Sequence, residues 1–325
     1  MKKNTRLFAA ALSAAAFAFA PAGASAQAYP ERDIHVICAF PAGSGADVLV
    51  RYFAEKLREK AGKPVIVENR TGANGNIAAE YTVRAKPDGH TIHIHAGSST
   101  AANYWLFKKP PINPSKELQV VATLNQQPFM VVVAQNAPYK TLQELTAAMK
   151  TKGEKASYAE SNTTGKVMGE LYKLATGTKA VDVPYRTAND SLNDFASGVI
   201  DYGMMDPVFA LVQAREGRLR SLAVSTKKRM GAVPDLPTMT EQGVPGIELF
   251  GWFAAMVPAG TPRPVVDQLN KWFNEIEATD ETKTYLNKFG GDPWITTPEE
   301  GQAQLVKDQK DWENYVKQAK IEPQS

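Results

Sequence analysis

Residues 34–47 read IHVICAFPAGSGAD, an apolar run followed by a glycine-rich turn and an acidic residue. The run has the length and the β-branched content of a buried strand. Gly43 and Gly45 permit a tight backbone turn after it, and residues 47–60 have a helical pattern. This stretch therefore predicts a strand, a close turn and a helix, which is the repeating unit of an α/β fold.

The same alternation continues along the chain. Further strands are predicted at residues 65–68, 91–96, 129–134, 156–159, 181–183, 200–205, 219–224 and 250–257. Helices are predicted between and after them, at residues 76–85, 141–150, 167–175, 191–197, 208–216, 264–278 and 298–320. Alternating strands and helices favour mostly parallel sheets that are covered by helices. The pattern indicates two α/β units, the second inserted into the first.

Residues 1–26 have the pattern of a secretory signal peptide. Lys2, Lys3 and Arg6 precede the uncharged apolar run 7–20, and residues 24–26 read ASA, a small-residue cleavage pattern. The run is shorter than the ~20 residues that span a bilayer. We therefore expect cleavage after Ala26 and a periplasmic location.

The remaining chain is long enough for two domains. We expect lobe 1 to comprise residues 27–126 and 249–325, and lobe 2 to comprise residues 127–248. Two lobes joined by two crossings leave a cleft between them, and α/β sheets bind ligands at the carboxyl ends of their strands. A ligand site is therefore predicted in the cleft.

Composition excludes several classes of function. The chain has 37 Lys and Arg against 34 Asp and Glu. Three of the basic residues and none of the acidic ones lie in residues 1–26, so the rest of the chain is balanced. Nucleic-acid binding needs a basic surplus, and we expect no nucleic-acid partner. The single cysteine excludes an internal disulfide, and with only four histidines we expect neither a metal site nor a cofactor.

Two strand-to-helix junctions are suited to an anion. They are residues 40–47 and residues 160–166, one in each predicted lobe. The N-terminus of a helix offers unpaired N–H groups and a partial positive charge, so two facing junctions would hold an anion between them. The first junction has the spacing of neither a phosphate loop nor a dinucleotide fingerprint. The alternative for each is an ordinary helix cap, with Asp47 as the cap in the first.

Several short motifs along the chain resemble those of one family. They are 29–32 (YPER), 40–43 (FPAG), 67–73 (VENRTGA), 77–80 (IAAE), 86–89 (KPDG), 183–186 (VPYR), 233–238 (VPDLPT), 258–262 (PAGTP) and 297–300 (TPEE). In this order they are similar to the periplasmic solute receptors of tripartite tricarboxylate transporters, often called Bug receptors. The resemblance covers nearly all of the chain after residue 26.

The resemblance implies a two-lobed, type II-like clamshell binding protein without catalytic activity. Its ligand would be a small organic acid: a dicarboxylate, a tricarboxylate or an aromatic acid. One carboxylate would sit between the two junctions, partly through ordered water. The loaded receptor, which we expect to be a monomer, would then dock on a membrane permease.

The resemblance also implies which residues bind the ligand, and Asp206 is added because it ends a strand before a helix. The predicted ligand-binding residues are Phe40, Ala42, Gly43, Ser44, Gly45, Asp47, Ser98, Ser99, Asn103, Ser161, Asn162, Thr163, Thr164, Gly165, Arg186, Thr187 and Asp206. For Asp206 two readings stay open, a helix cap or a cleft residue.

The chain departs from the family pattern at several of these positions. Ser44 stands where the family usually has a second glycine, Thr187 stands where glycine is frequent, and the second-lobe loop is shorter than usual. Glu160 stands where a small residue is common. If Glu160 faced the cleft it would repel a carboxylate or hold the amino group of an amino-acid ligand, with Lys166 or Arg186 to offset it. Ligand identity therefore stays open.

Other reactive residues have ordinary explanations. His93 and His95 share one face of a strand, but a metal would need a third ligand. Cys38 lies in an apolar strand without a flanking base, which favours an inert thiol over a nucleophile. For Trp252 and Phe253 the sequence favours core packing over the wall of an aromatic pocket.

Two other functions remain in competition with the transport receptor. One is a ligand-sensing partner of a signalling kinase, which would use the same pocket. The other is an exported hydrolase, which the sequence disfavours because no Gly-x-Ser-x-Gly elbow is present.

Overall fold

Two five-stranded sheets organise the chain in this computed structural model, which describes residues 29–324. The predicted signal peptide, residues 1–26, lies outside the described residues. The strands are β1 (Ile34–Cys38), β2 (Val65–Asn69), β3 (Thr91–Ala96), β4 (Leu118–Pro128), β5 (Met130–Ala134), β6 (Ser157–Glu160), β7 (Val181–Pro184), β8 (Tyr202–Met205), β9 (Leu219–Val224) and β10 (Phe250–Pro258).

Helices connect most of these strands. They are α1 (Gly45–Ala61), α2 (Asn76–Val83), α3 (Gly97–Leu106), α4 (Pro114–Glu117), α5 (Leu142–Lys152), α6 (Thr163–Thr176), α7 (Leu192–Ser197), α8 (Pro207–Arg215), α9 (Arg263–Glu277), α10 (Asp280–Lys288) and α11 (Pro298–Gln318). Short 3-10 turns lie at Ala73–Gly75, Gly153–Lys155 and Ala188–Ser191.

The two sheets have matching topologies. The first has the order β2-β1-β3-β10-β4 and the second the order β7-β6-β8-β5-β9. In the first, β10 runs antiparallel to both of its neighbours, and in the second β5 does the same. The other strands of each sheet are parallel to one another. The prediction of a two-lobed α/β fold is confirmed, with one antiparallel strand in each sheet.

The chain passes between the sheets twice. It enters the second sheet where β4 ends at Pro128 and β5 begins at Met130, and it returns through Leu249 to β10. Ser225 joins the two crossings, because its Oγ accepts from the Phe129 N–H at 2.9 Å and donates to the Leu249 carbonyl. The predicted lobe boundary at 126/127 falls inside β4 and the one at 248/249 falls just before β10. The division into lobes at those residues stays a prediction.

Strand β10 separates two layers of core. Because side chains alternate along a strand, Phe253, Ala255 and Val257 pack with the apolar residues of α1 and α9. Trp252, Ala254 and Met256 pack on the other side, with residues of α3 and α11. This places the fully buried indole of Trp252 beside the beginning of α3.

Four of the helices and strands were not predicted from the sequence: α3, α4, α10 and β4. Residues 97–106, which include three predicted ligand-binding residues but no predicted helix, form helix α3. The residues of its first helical turn, GSST, are more typical of a loop. Tertiary packing stabilises the helix, because Ala101 and Ala102 are buried and Trp105 Nε1 donates to the Gln309 carbonyl at 2.6 Å. Residues 118–128, expected only to contain a crossing, form the long strand β4.

Candidate binding cavity

A cavity of about 530 Å³ lies between elements of the two sheets. This volume falls in the range of small-molecule sites. The residues that line it are Asn74, Ala96, Ser98, Ser99, Ala102, Leu106, Phe107, Gln127, Phe129, Asn162, Thr163, Thr164, Asp206, Pro207, Gly251, Trp252, Phe253, Trp312 and Gln324. Both predicted lobes therefore contribute to it.

Three helices begin at the cavity. They are α3, α6 and α8, which follow β3, β6 and β8. In each case the chain turns from the carboxyl end of a strand into the first turn of a helix, the position at which α/β sheets bind ligands. What each helix start offers depends on how it is capped.

The start of α6 has free amide donors. Asn162 is its N-cap, and its side chain accepts from the Gly165 N–H at 2.9 Å. By helix geometry the N–H groups of Thr163 and Thr164 have no acceptor within the helix. Both residues line the cavity and add hydroxyl groups to it.

The start of α3 has no side-chain cap. Ala96 occupies the N-cap position and makes no side-chain hydrogen bond there. The N–H groups of Gly97, Ser98 and Ser99 therefore have neither an acceptor within the helix nor a capping side chain. Ser98 and Ser99 line the cavity after a strand of the first sheet, whereas α6 follows a strand of the second.

The start of α8 has fewer N–H groups available for a ligand. Asp206 caps it, with Oδ1 accepting from the Phe209 N–H at 3.0 Å, and the next residue is Pro207, which has no N–H. Burial raises the pKa of Asp206, and the N–H groups of Phe209 and Val208 oppose that rise. Asp206 therefore has both of the roles that the sequence left open: it caps helix α8, and it lines the cavity.

The charge of the lining is unusual for an anion site. Asp206 is the one ionisable side chain among the described lining residues, and none of those residues is Lys, Arg or His. An anion placed here would be held by N–H groups, hydroxyls and the partial positive charge of α3 and α6. It would not form an ion pair with a lining side chain.

An apolar wall faces these polar groups. It consists of Trp252, Phe253, Phe129, Leu106, Phe107 and Trp312. The indole of Trp252 is fixed because its Nε1 donates to Asp308 Oδ2 at 2.6 Å, while Gln304 donates to Oδ1 at 2.6 Å. Burial raises the pKa of Asp308 to about 6. Trp252 and Phe253 therefore serve in packing and in the cavity wall at once.

The structure brings together six of the predicted binding residues at the cavity: Ser98, Ser99, Asn162, Thr163, Thr164 and Asp206. Asn103 lies just behind the wall. Its Nδ2 donates to the Asn74 carbonyl at 2.8 Å, and Asn74 Nδ2 donates to Asn103 Oδ1 at 2.7 Å. Asn103 thereby positions a lining residue.

The other predicted residues do not line this cavity. They are Phe40, Ala42, Gly43, Ser44, Gly45, Asp47, Ser161, Gly165, Arg186 and Thr187. Gly165 is buried, and a Cβ there would lie 2.7 Å from the Met204 carbonyl oxygen, so glycine lets α6 approach β8. Arg186 and Thr187 are exposed. A ligand-binding role for these residues stays a prediction.

The loop at residues 40–47 is organised around a buried carboxylate. Asp47 Oδ2 accepts from the Gly43 N–H and from Arg51 Nε, each at 2.8 Å, and Oδ1 accepts from Asn69 at 2.6 Å. Burial alone would raise the pKa of Asp47, but these hydrogen bonds outweigh it and hold the pKa at about 2. The helix cap is Ser44, whose Oγ accepts from the Asp47 N–H, and not Asp47 itself.

Glu160 lies at the end of β6, directly before the α6 junction. It is 6% exposed and is not among the lining residues. Burial, reinforced by the charge of Asp182, raises its pKa to about 7. Lys166 forms its ion pair with Asp182, at 3.2 Å, rather than with Glu160.

Several lining residues had no distinctive signal in the sequence. Trp312 repeats with Leu305 and Val316 as one apolar face of α11, so it has the pattern of an ordinary core residue. Leu106 and Phe107 end a helix that was not predicted. Gln324 lies beyond the last helix, and only the tertiary structure brings it to the cavity.

The histidines of β3 and the cysteine are buried. His93 Nδ1 lies 3.0 Å from the Ile37 carbonyl oxygen, and burial lowers the pKa of His93 to about 4 and that of His95 to about 3. Burial raises the pKa of the Cys38 thiol to about 11. Within residues 29–324, no group of three or more potential metal ligands is found. In the same part of the chain, no helix has both the length and the apolar character to cross a bilayer.

Comparison with known proteins gives one consistent result. The family model described as "Tripartite tricarboxylate transporter family receptor" matches residues 49–321. A UPF0065 protein of Bordetella bronchiseptica is 32% identical over 302 residues, which cover 92% of this chain and 89% of that protein. Protein BugT of Bordetella pertussis is 29% identical over 297 residues, covering 90% and 91%.

Solved structures are similar over the same extent. A structure described as R. palustris Rpa4515 with adipate has a TM-score of 0.76 at 29% identity and covers 91% of this chain and 100% of that one. MatC of Rhodopseudomonas palustris with bound malate has a TM-score of 0.70 at 25% identity, covering 89% and 100%.

Proposed function

The chain belongs to the tripartite tricarboxylate transporter receptor family, and on that premise we propose that it captures a small organic acid in the cavity between its two lobes. The family is one of solute receptors and not a class of enzymes. Its members are periplasmic binding proteins. Export of this chain through a signal peptide cleaved after Ala26, and delivery of the acid to a membrane permease, are further parts of the proposal.

One observation carries the proposal: two helix starts with unused amide donors, α3 and α6, meet at one cavity. The N–H groups of Ser98, Ser99, Thr163 and Thr164 can converge on a carboxylate, and hydrogen bonds to a charged group contribute about 1.5–3 kcal/mol each. Three or four such bonds support micromolar binding after the cost of association.

The apolar wall of the cavity favours an organic acid over an inorganic anion as the ligand. Phe107, Phe129 and Phe253 provide surface for the carbon skeleton of a ligand. Among structural relatives, one is described with adipate and another with bound malate. Both of those ligands are small carboxylic acids, and we propose the same class for this chain.

We propose that the loop at residues 40–47 completes the site when a ligand is bound. Its Gly43 and Gly45 are exposed, and the ring of Phe40 lies 5.7 Å from that of Phe253, a lining residue. The loop is thus separated from the cavity by one side chain. We further propose that residues 27–126 and 249–325 form one lobe and residues 127–248 the other.

The proposal is tested by thermal melting and calorimetric titration with a library of aliphatic and aromatic carboxylic acids. A ligand that binds the folded state raises the melting temperature by mass action. We expect saturable heat and a higher melting temperature with at least one acid. A complete absence of both across the library would contradict the proposal.

A substitution at the first position of α6 tests the role of the amide donors. Thr163→Pro removes one N–H group from the cavity, while proline is well tolerated at the first residue of a helix. We expect affinity for the acid to fall about tenfold or more, because a charge-assisted hydrogen bond is lost. The matched control is Asp280→Pro at the first residue of α10, which is exposed and outside the cavity. Equal affinities for the two variants would contradict the proposed site.

A further inference from the structure

The cavity changes character along helix α3. Ser98, Ala102 and Leu106 are spaced four residues apart, lie on one face of the helix and all line the cavity. At a rise of ~1.5 Å per residue this face extends the cavity by roughly 12 Å. The end at the helix N-terminus carries the hydroxyls of Ser98 and Ser99, and the end near Leu106 is apolar. An occupant that fills the cavity is therefore elongated, with a polar end and an apolar body.

The apolar end is closed by the segment that follows α11. Gln324 forms a parallel bridge with Phe107: the Gln324 N–H donates to the Leu106 carbonyl at 2.7 Å, and the Lys108 N–H donates to the Gln324 carbonyl at 2.8 Å. These two hydrogen bonds fix the backbone of Gln324 at the C-terminal end of α3. Gln324 is exposed and is one of the residues that line the cavity.

Gln324 is a polar lining residue whose backbone is hydrogen-bonded beside Leu106 and Phe107. Its amide can donate and accept a hydrogen bond, but it carries no charge. A carboxylate placed at this end would lose water and gain no cation from the described lining residues, which is costly. Lys108 and Lys109 are exposed nearby but do not line the cavity.

We propose that Gln324 contacts the far end of the bound acid and that the receptor selects elongated acids with one carboxylate, an apolar body and an uncharged hydrogen-bonding far end. This inference rests on the proposed function, because it takes the carboxylate to sit at the starts of α3 and α6. It assigns ligand selectivity to a residue outside every strand-to-helix junction.

The test compares ligands that differ only at the far end. Hexanoate, 6-hydroxyhexanoate and adipate end in a methyl, a hydroxyl and a carboxylate group, and an eight-carbon set offers the same three ends. Calorimetric titration of the full chain is expected to give the tightest binding with a hydroxyl end and the weakest with a second carboxylate, at least about tenfold apart.

Variants at Gln324 separate its role from general packing. Gln324→Ala is expected to reduce the preference for hydroxyl over methyl ends about threefold to tenfold, the usual value of one neutral hydrogen bond. Gln324→Arg is expected to raise affinity for adipate or its eight-carbon analogue at least about tenfold, because it supplies the missing cation. Two exposed residues serve as controls, Glu322→Gln and Lys108→Ala, and neither is expected to change the order of affinities.

The outcomes distinguish this inference from the proposed function. Tighter binding of the dicarboxylates by the unmodified protein, with Gln324→Ala unchanged, would overturn the inference and leave an acid receptor in place. A loss of dicarboxylate binding in Lys108→Ala would overturn it as well, since Lys108 would then be the contact. If no carboxylic acid binds at all, both the inference and the proposed function are wrong.

Discussion

Gly97 begins α3 directly against the indole of Trp252. A Cβ at Gly97 would lie 2.3 Å from the Trp252 ring, which is buried and hydrogen-bonded to Asp308. We expect Gly97→Ala to lower the free energy of unfolding by about 1–3 kcal/mol, the usual cost of overpacking a core. Denaturant unfolding measures it.

Gly45 offers the matched control. It is also the first residue of a helix, α1, and a Cβ there would meet nothing within 4 Å. Gly45→Ala is expected to leave stability within about 0.5 kcal/mol of the original protein. If both variants were equally stable, Trp252 would not be held as rigidly against α3 as we infer.

Glu160 makes stability depend on pH. In the folded chain burial, with the charge of Asp182, raises its pKa from 4.5 to about 7. The folded state therefore holds a proton that the unfolded state releases, so stability falls as pH rises from about 4.5 to about 7. We expect Glu160→Gln to be more stable than the original protein by roughly 3 kcal/mol at pH 8, since one pKa unit corresponds to 1.36 kcal/mol.

At pH 4 the two proteins are expected to be equally stable, because Glu160 is then protonated in both states. Denaturant unfolding at both pH values gives the comparison. Glu154→Gln, an exposed substitution in the 3-10 turn before β6, is the control and is expected to show no such pH-dependent gain. A gain from Glu160→Gln that is the same at pH 4 and pH 8 would refute this account.

The roles of single residues could be predicted from the sequence to different degrees. Asp206 was predictable in both of its roles, because an acidic residue between a strand and a helix caps the helix and lies at the sheet edge. Trp312 was not, since a cavity wall and a core have the same apolar helical spacing. Gln324 has no local pattern at all, and its position depends on a bridge to Phe107, more than 200 residues earlier in the chain.

At the scale of elements, the N-caps of helices α5 and α6 can be compared directly, because in each the cap side chain accepts a hydrogen bond from a backbone N–H of the first turn. Thr141 accepts from the Glu144 N–H at 3.2 Å and Asn162 accepts from the Gly165 N–H at 2.9 Å. We expect Thr141→Ala and Asn162→Ala each to cost about 1 kcal/mol of stability, the usual value of a cap. Only Asn162→Ala is expected to weaken acid binding, because only α6 begins at the cavity.

Unfolding and calorimetric titration measured on the same two preparations test this expectation. A parallel loss of affinity in Thr141→Ala would mean that general destabilisation, and not the local order of the α6 start, controls binding.

Elements with strong local patterns were predicted well, and those held by tertiary contacts were not. Strand β3 was expected at residues 91–96 and is observed there, because its alternating apolar and β-branched residues and the preceding turn at residues 86–89 determine it locally. Helix α3 was missed because its first turn favours a loop. Packing of Ala101, Ala102 and Trp105 stabilises it, and the cavity is consequently built on α3 more than on the loop at residues 40–47.

For the whole molecule, the two chain crossings share one side chain. Ser225 Oγ bonds to the Phe129 N–H and the Leu249 carbonyl, and it is fully buried. We expect Ser225→Ala to lower the free energy of unfolding by about 1–3 kcal/mol, because buried polar groups of both crossings lose their partner. Ser221→Ala on β9 removes only a 3.6 Å contact to the Met130 sulfur and is expected to change stability by less than about 0.5 kcal/mol.

Denaturant unfolding of the two serine variants checks this prediction. Equal stability of Ser225→Ala and Ser221→Ala would show that the crossings do not depend on the shared hydroxyl.

The general arrangement of two α/β lobes was predictable, because strand and helix patterns repeat on both sides of residues 127–128. The antiparallel direction of β5 and β10 was not, since the patterns of residues do not encode which way a strand runs beside its neighbours.

The absence of Lys, Arg and His from the described lining of the cavity has a consequence for the surroundings in which such a receptor works. Dissolved ions weaken attraction between separated charges, and the effective range shrinks from ~30 Å at 0.01 M to ~8 Å at 0.15 M. Short contacts to the amides of Ser98 and Thr163 depend much less on that range than a pair of opposite charges at the surface. The affinity of this cavity for an acid is therefore expected to change little between 0.01 M and 0.15 M salt.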